Sequence, residues 1–342
     1  MAIGELLKEG EEAFGKGDWA NASRVYGEII KVSLEIEDDR YLALAHYRKG
    51  YADMRRADYE EALRHFMEAL NISTAIDDVP LATDALRGLG TVHWQTGTYD
   101  MSAEYYKEAM VRASEHSDKA ILGKVKIEYG NLLNFKGDLE GAMAEYKEAI
   151  GLLAGDAAEE SRAHNNLGDA LFRLERYLES IEEFKVAIRL GEDACHFSRV
   201  AWARGNMALA LIELGQVALA RDNIIMAKDY MERIGDRVGL GDIHEAMGLA
   251  FMMDGRFNNA EVELKAGLGV AMELDVPDRK AIAERNLGRF YIRIDDKDKA
   301  RLHLNRAITL FEGIGMVFEA KRVKGMLDGL DAAKDNDILN KL

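Results

Sequence analysis

The stretch NNLGDALFRLERYLESIEEF, Asn165 to Phe184, reads as two helical segments broken near Glu175–Arg176. Gly168 stands in the middle of the first segment, where glycine costs about 1 kcal/mol relative to alanine. Two asparagines, weak helix formers, precede it. The same arrangement recurs along the chain, and the recurrence accounts for it.

Aligned on Gly168, a column of Gly10, Gly50, Gly90, Gly130, Gly168, Ala208, Gly248 and Gly288 emerges. Twelve residues later follow Ala22, Ala62, Ser102, Ala142, Ser180, Ala220, Ala260 and Ala300, at intervals of 40 broken once by 38. Four further on lie Tyr26, Phe66, Tyr106, Tyr146, Phe184, Ile224, Leu264 and Leu304. Three more give Ile29, Ala69, Ala109, Ala149, Ala187, Ala227, Gly267 and Ala307. Four registered columns over eight copies are the signature of a solenoid. Small residues on facing sides of two helices let their backbones approach, and large residues one turn away fill the space between. Gly168 is then retained for packing. The breaks repeat too, as KGDW, RADY, TGTY, KGDL, LERY, LGQV, DGRF and DDKD. A glycine or small polar residue ends the first helix and, usually, an apolar residue opens the second.

This pattern resembles the tetratricopeptide repeat family in its glycine, turn aromatic (Trp19, Tyr59, Tyr99, Tyr177, Phe257), small residue, second aromatic and alanine. The resemblance covers roughly residues 3–320. The 40-residue period is longer than the commoner one and is similar to the long-repeat branch of kinesin light chain and spindle-orientation adaptors. Repeat eight departs, with Lys297 at the apolar turn position and Asp295 in place of glycine.

The resemblance implies an all-α, right-handed superhelical solenoid forming a single domain over 1–342. Its eight helix-turn-helix units are expected at 3–42, 43–82, 83–122, 123–160, 161–200, 201–240, 241–280 and 281–320. In MVFEAKRVKGMLDGLDAAK, Val323 and Leu327 stand in register with Ala283 and Leu287, so a capping helix is expected over 317–334. A loosely held tail is expected over 335–342.

Of the 342 residues, 48% are hydrophobic and 31% charged, which is a globular composition. The net charge of −16 argues against nonspecific binding to nucleic acid or to an anionic membrane. The single cysteine, Cys195, rules out an internal disulfide framework and fits a reducing compartment. The N-terminus lacks an apolar stretch of signal-peptide length, and the most apolar region, 200–220, is interrupted by Arg204, Asn206 and Glu213. A cytoplasmic location is the expectation.

The repeats and cap consume nearly the whole chain, so catalysis would have to be built on the repeats. GLGTVH at Gly88 lacks the third glycine of a dinucleotide fingerprint, and HEAMG at His244 has Gly248 where a zinc-protease motif has histidine. The acidic run from Asp295 lacks the glycine and terminal glutamate of a calcium loop. The eight histidines form no ligand cluster by spacing, and Cys195 reads as a turn residue between repeats. No enzyme, metal or cofactor is expected.

In the family resembled, the first helix of each pair lines a concave groove. In repeat five, the face of that helix opposite the packing columns carries Arg162, Asn165, Asn166, Asp169, Phe172 and Arg173, one helical stripe. The same positions in all repeats hold ten basic residues, among them Arg48, Arg87, Arg285, Arg289 and Arg293, and seven acidic ones. The stripe sums to +3 while the remaining residues carry −19. It is either a binding surface for acid or a solvated face. Asn166, Asn206 and Asn286 share a column, with Asn131, Asn134 and Asn165 near it. An amide donates and accepts at once and so matches a peptide bond, and tetratricopeptide proteins that hold extended peptides use asparagines in such columns. The alternative is that each bonds a neighbouring helix. Tyr47, Tyr51, Trp94, Phe172 and Trp202 are pocket or core.

Two functions follow as expectations. One is a non-catalytic adaptor gripping an extended, acid-containing peptide. The other is a regulator whose superhelix changes shape on binding a peptide or small effector. The molecule is expected as a monomer, or as a weak homo-oligomer through a terminal repeat.

Overall fold

The computed structural model describes the backbone of residues 3–339 and the side chains of residues 3–330. It is all-helical, with no strand among the described residues. The helices are α1 (Ile3–Lys16), α2 (Trp19–Glu35), α3 (Asp39–Arg55), α4 (Tyr59–Ala75), α5 (Val79–Gln95), α6 (Tyr99–Glu115), α7 (Lys119–Lys136), α8 (Leu139–Leu152) and α9 (Ala157–Arg173). They continue as α10 (Tyr177–Asp193), α11 (Phe197–Glu213), α12 (Val217–Ile234), α13 (Arg237–Met253), α14 (Phe257–Glu273), α15 (Pro277–Arg293), α16 (Lys297–Gly313) and α17 (Val317–Leu339). Backbone proximity divides the chain into a first unit, residues 1–132 with 151–153, and a second unit, residues 133–150 with 154–342.

Odd-numbered helices are the first members of the repeats and even-numbered helices the second. The first helices begin at Asp39, Val79, Lys119, Ala157, Phe197, Arg237 and Pro277, four residues ahead of the block boundaries drawn from the columns. The columns record packing register, whereas a helix starts at its cap, one turn before its first packed residue. Those caps are mostly aspartates: Asp38, Asp78, Asp156 and Asp236 each accept a backbone N–H of the first turn. Each is worth about 0.5–2 kcal/mol. The tail expected over 335–342 lies outside the residues whose side chains are described.

The glycine column does what its spacing predicts. A Cβ placed on Gly168 would stand 2.7 Å from Cε1 of Phe184, and one on Gly90 would stand 2.7 Å from the Tyr106 ring. On Gly248 and Gly288 it would meet Leu264 and Leu304 at 2.6 and 2.5 Å. Phe184 is almost fully buried. Burying such a ring gains about 1.5–3 kcal/mol, which exceeds the glycine's helix cost of about 1 kcal/mol. Ser180, in the second small column, donates its hydroxyl to the Gly168 carbonyl at 2.8 Å.

Fifteen of the sixteen connections contain one residue in the left-handed region. Eight of these are glycine, but Glu37, Ala57, Asp77, Glu175, Cys195, Asp275 and Asp295 take the same conformation. Asp295, which departs from the repeat's glycine, therefore still makes the same turn. Cys195 is likewise an exposed turn residue, with its N–H donated to the Glu192 carbonyl.

Candidate functional site

Because the glycine columns press each first helix onto its second, the opposite stripe of the first helix is left to meet its neighbours one repeat away. In the first unit that stripe is aromatic. Phe14, at the end of α1, lies 5.3 Å from Trp19 and 5.4 Å from Tyr51 of α3 between ring centroids. The Arg48 guanidinium sits 5.0 Å over Phe14 and reaches Glu11 at 3.2 Å, with about a third of its side chain exposed. Arg55 lies 5.1 Å over Trp19 and is exposed. Arg87 of α5 is bound to Asp84 at 2.7 Å and to Glu128 of α7 at 3.4 Å. Tyr51 and Asn131 are half-buried on the same face.

In the second unit the stripe is an amide and carboxylate ladder. Asn134 donates to Asp169 at 2.8 Å and accepts from Arg173 at 2.7 Å. Asn206 of α11 donates to Asn165 of α9 at 3.1 Å, and Asn165 donates to Asn166 at 3.2 Å. Asn286 of α15, 2% exposed, donates to Glu245 of α13 at 2.8 Å. Arg162 pairs with Glu159 at 2.8 Å, Arg289 with Glu213 at 2.8 Å, and Arg279, over Trp202, with Asp242 at 3.0 Å. Arg293 is exposed at the end of α15.

Of the two readings that the asparagines left open, the geometry for Asn134, Asn165, Asn206 and Asn286 is the helix-to-helix bond. Each donates its amide to a first helix one repeat away, Asn206 to another amide and Asn134 and Asn286 to carboxylates, except that Asn165 accepts across the helices and donates within its own. Glu245 is the most confined member. Burial pushes its carboxyl up to about 8, against the opposing effect of the Asn286 amide. Its Oε1 has no hydrogen-bond partner among the described residues, and the carboxyl lines a cavity of about 10 Å³ with Gly241, Gly267 and Arg279, room for about one water.

Two features escape the sequence reading. The first is Glu319 on α17, 4% exposed, which accepts from Arg173 of α9 at 3.0 Å and from Arg285 of α15 at 3.2 Å. Arg322 stands 3.7 Å from the same carboxylate and also binds Glu175 at 3.3 Å. Phe318 lies beneath Arg173, its ring centroid 5.4 Å from the guanidinium carbon. Residue 319 shares a column with Glu159, which pairs with Arg199 one repeat on, and that was a legible signal for an ion-pairing position. The second feature is a polar rung between the two helices of a repeat. His164 meets Glu183, His244 meets Glu263 and His303 meets Glu284 at 2.6–2.7 Å, always nineteen residues apart. His46 and His65 make the equivalent pair at 2.9 Å. Among the described residues, no group of three or more His, Cys, Asp or Glu is placed to hold a metal, and no helix is long and apolar enough to cross a membrane.

Two family models described as tetratricopeptide repeat match residues 41–115 and 130–194. No curated protein sequence matches the chain. Among solved structures, the chain is similar to aspartyl phosphate phosphatase F from Bacillus subtilis, with a TM-score of 0.67 at 14% identity over 90% of this chain and 94% of that one. It is similar to a Rap protein complexed with competence and sporulation factor, with a TM-score of 0.59 at 11% identity over 97% and 98%. It also resembles the Rap conjugation gene regulator of plasmid pLS20 in complex with a Phr peptide, with a TM-score of 0.55 at 14% identity over 98% and 95%.

Proposed function

The chain is a tetratricopeptide repeat protein, and we propose that it is a non-catalytic scaffold holding an extended, acid-containing peptide on the aromatic and arginine face of its first unit. The observation that carries this reading is Arg55. Its guanidinium carbon stands 5.1 Å over the Trp19 ring, it is exposed, and it has no ion pair among the described residues. A guanidinium held beside a ring by cation–π attraction and engaged by no carboxylate has N–H donors available for one. Arg48, Tyr51, Arg87 and Asn131 border the same face. In the second unit, by contrast, Arg173, Arg285 and Arg289 already hold carboxylates of their own chain. A protein of like fold bound to a peptide supports the choice of partner. The phosphatase named among the similar structures does not carry its chemistry to this chain, since likeness at 14% identity concerns the fold alone. A cytoplasmic location fits the lone cysteine.

The test uses the full chain and fluorescein-labelled ten-residue peptides containing aspartate or glutamate beside an aromatic residue. The charge reversals Arg48→Glu and Arg55→Glu together are expected to weaken binding at least about tenfold, the loss of roughly one charge-assisted bond. Equal binding by the parent and the reversed chain refutes the proposed face. A second reading, a regulator that changes shape on binding, is favoured by Glu319, where one carboxylate ties α9 to α17 across 146 residues.

A further inference from the structure

Phe318 and Glu319 stand at the start of α17, yet both are engaged with helices far away in sequence. The Glu319 carboxylate receives Arg173 from α9 and Arg285 from α15, with Arg322 of its own helix alongside. Arg173 is itself aimed by Asn134, which accepts from it while donating to Asp169. Phe318 fills the space left by the absent side chain of Gly137, where a Cβ would overlap it. Phe318 also carries the Arg173 guanidinium on its ring. Two arginines from separate helices, an orienting amide and a glycine-floored aromatic slot make a site for an aromatic residue followed by an acidic one. The chain fills that site with its own.

We propose that this cradle is a peptide-binding site, that α17 is its self-supplied occupant, and that a partner segment bearing an aromatic–acidic pair competes for it. The proposal deepens the peptide-holding reading above and rests on it, while placing a second site in the other unit. Exchange is chemically balanced, because an incoming carboxylate would restore the arginine contacts that Glu319 gives up. What opposes it is the high effective concentration of a tethered occupant and the burial of Ala320 and Val323 against α16. What favours it is the exposed entry to α17: Val317 is largely solvated and follows the left-handed Gly315. The outer Arg322–Glu175 pair is exposed as well.

The probe is a fluorescein-labelled peptide of residues 314–325, IGMVFEAKRVKG, titrated into the full chain. Phe318→Ala with Glu319→Gln empties the cradle, and this variant is expected to bind the peptide at least about tenfold more tightly than the parent. Adding Arg173→Gln to that variant should abolish the gain. Equal affinity for parent and variant, or no binding by a variant that keeps parental helicity, overturns the proposal. If the variant does not fold, hydrogen exchange on the parent chain decides. Excess peptide should speed exchange of the 317–323 amides, and unchanged exchange at saturation overturns the idea. Binding of this probe should also be indifferent to the Arg48→Glu and Arg55→Glu reversals. Sensitivity to them would move the peptide to the first unit, sinking this proposal and leaving the scaffold reading intact.

Discussion

The two units carry the same repeat columns and differ in what surrounds the arginines of their first-helix stripes. Where the second unit has Asn134 and Asp169, the corresponding positions of the first hold Phe14 and Glu11, then Met54 and Tyr51. In the first unit Arg48 and Arg55 lie over rings, those of Phe14 and Trp19, while Arg48 also reaches Glu11 and Arg87 holds Asp84 and Glu128. In the second, Arg173 and Arg285 enclose the buried Glu319 carboxylate, even though Arg173 also lies over Phe318. A shared packing register therefore says where a side chain stands and nothing about whether its bonding capacity is already taken. A stacked, exposed guanidinium can accept a visitor, whereas a buried, forked one is part of the frame.

The strongest way to break this contrast is to remove charge from each stripe. Glu319→Gln leaves Arg173 and Arg285 confined without their anion and is expected to cost about 3–5 kcal/mol in a denaturant melt. Arg48→Gln in the first unit disrupts an exposed pair and is expected to cost less than about 1 kcal/mol. Comparable losses would erase the distinction. It follows that reversing Arg285 and Arg289 reports on stability before it reports on any partner.

The next effect concerns Glu245, whose column in the first unit holds Leu7, Tyr47, Arg87 and Ile127 instead of an acid. Burial raises its folded pKa from 4.5 to about 8. The folded chain thus keeps a proton there that the unfolded chain releases at lower pH. Stability should fall as the pH rises from about 4.5 toward about 8 and level off beyond. Melts of Glu245→Gln should lack that slope, and an identical slope in the variant would assign it elsewhere.

The smallest effect sharpens the comparison at the turns. Ala57 and Glu175 occupy equivalent left-handed positions in the two units. Glycine at either is expected to stabilise by about 1 kcal/mol, the penalty an L side chain bears in that conformation. Glu175→Gly should gain somewhat less than Ala57→Gly, because it forfeits the exposed Arg322 contact. Equal gains in thermal melts would show that this outer pair contributes nothing.

The fold was legible because close packing repeats. Gly168 and Phe184 announce each other sixteen residues apart, and the same interval recurs from Gly10–Tyr26 to Gly288–Leu304. Members of the stripe do touch one another, as Asn134 and Asp169 do. Their partners were less so. Asn165 and Asn206 stand one repeat and one residue apart, so their bond is close to what the period suggests once neighbouring first helices are known to meet. Arg173 and Glu319 meet only because several repeats together return the chain on itself, and no local spacing encodes that distance. The histidine rungs lay in plain view at a fixed interval of nineteen. They do not show as metal-ligand spacing within a helix, because each pair spans two helices.

The recurring left-handed joint carries one more consequence. Every such junction places a single residue in the left-handed region, whether glycine, alanine, aspartate, glutamate or cysteine, so matching joints share one backbone device through which pairs of rods could be spliced out or duplicated. Such an edit within residues 177–293 would keep each rod's lining intact yet shift which carboxylate arrives opposite Arg173. The number of repeats between Arg173 and Glu319 thus sets whether that ion pair can form.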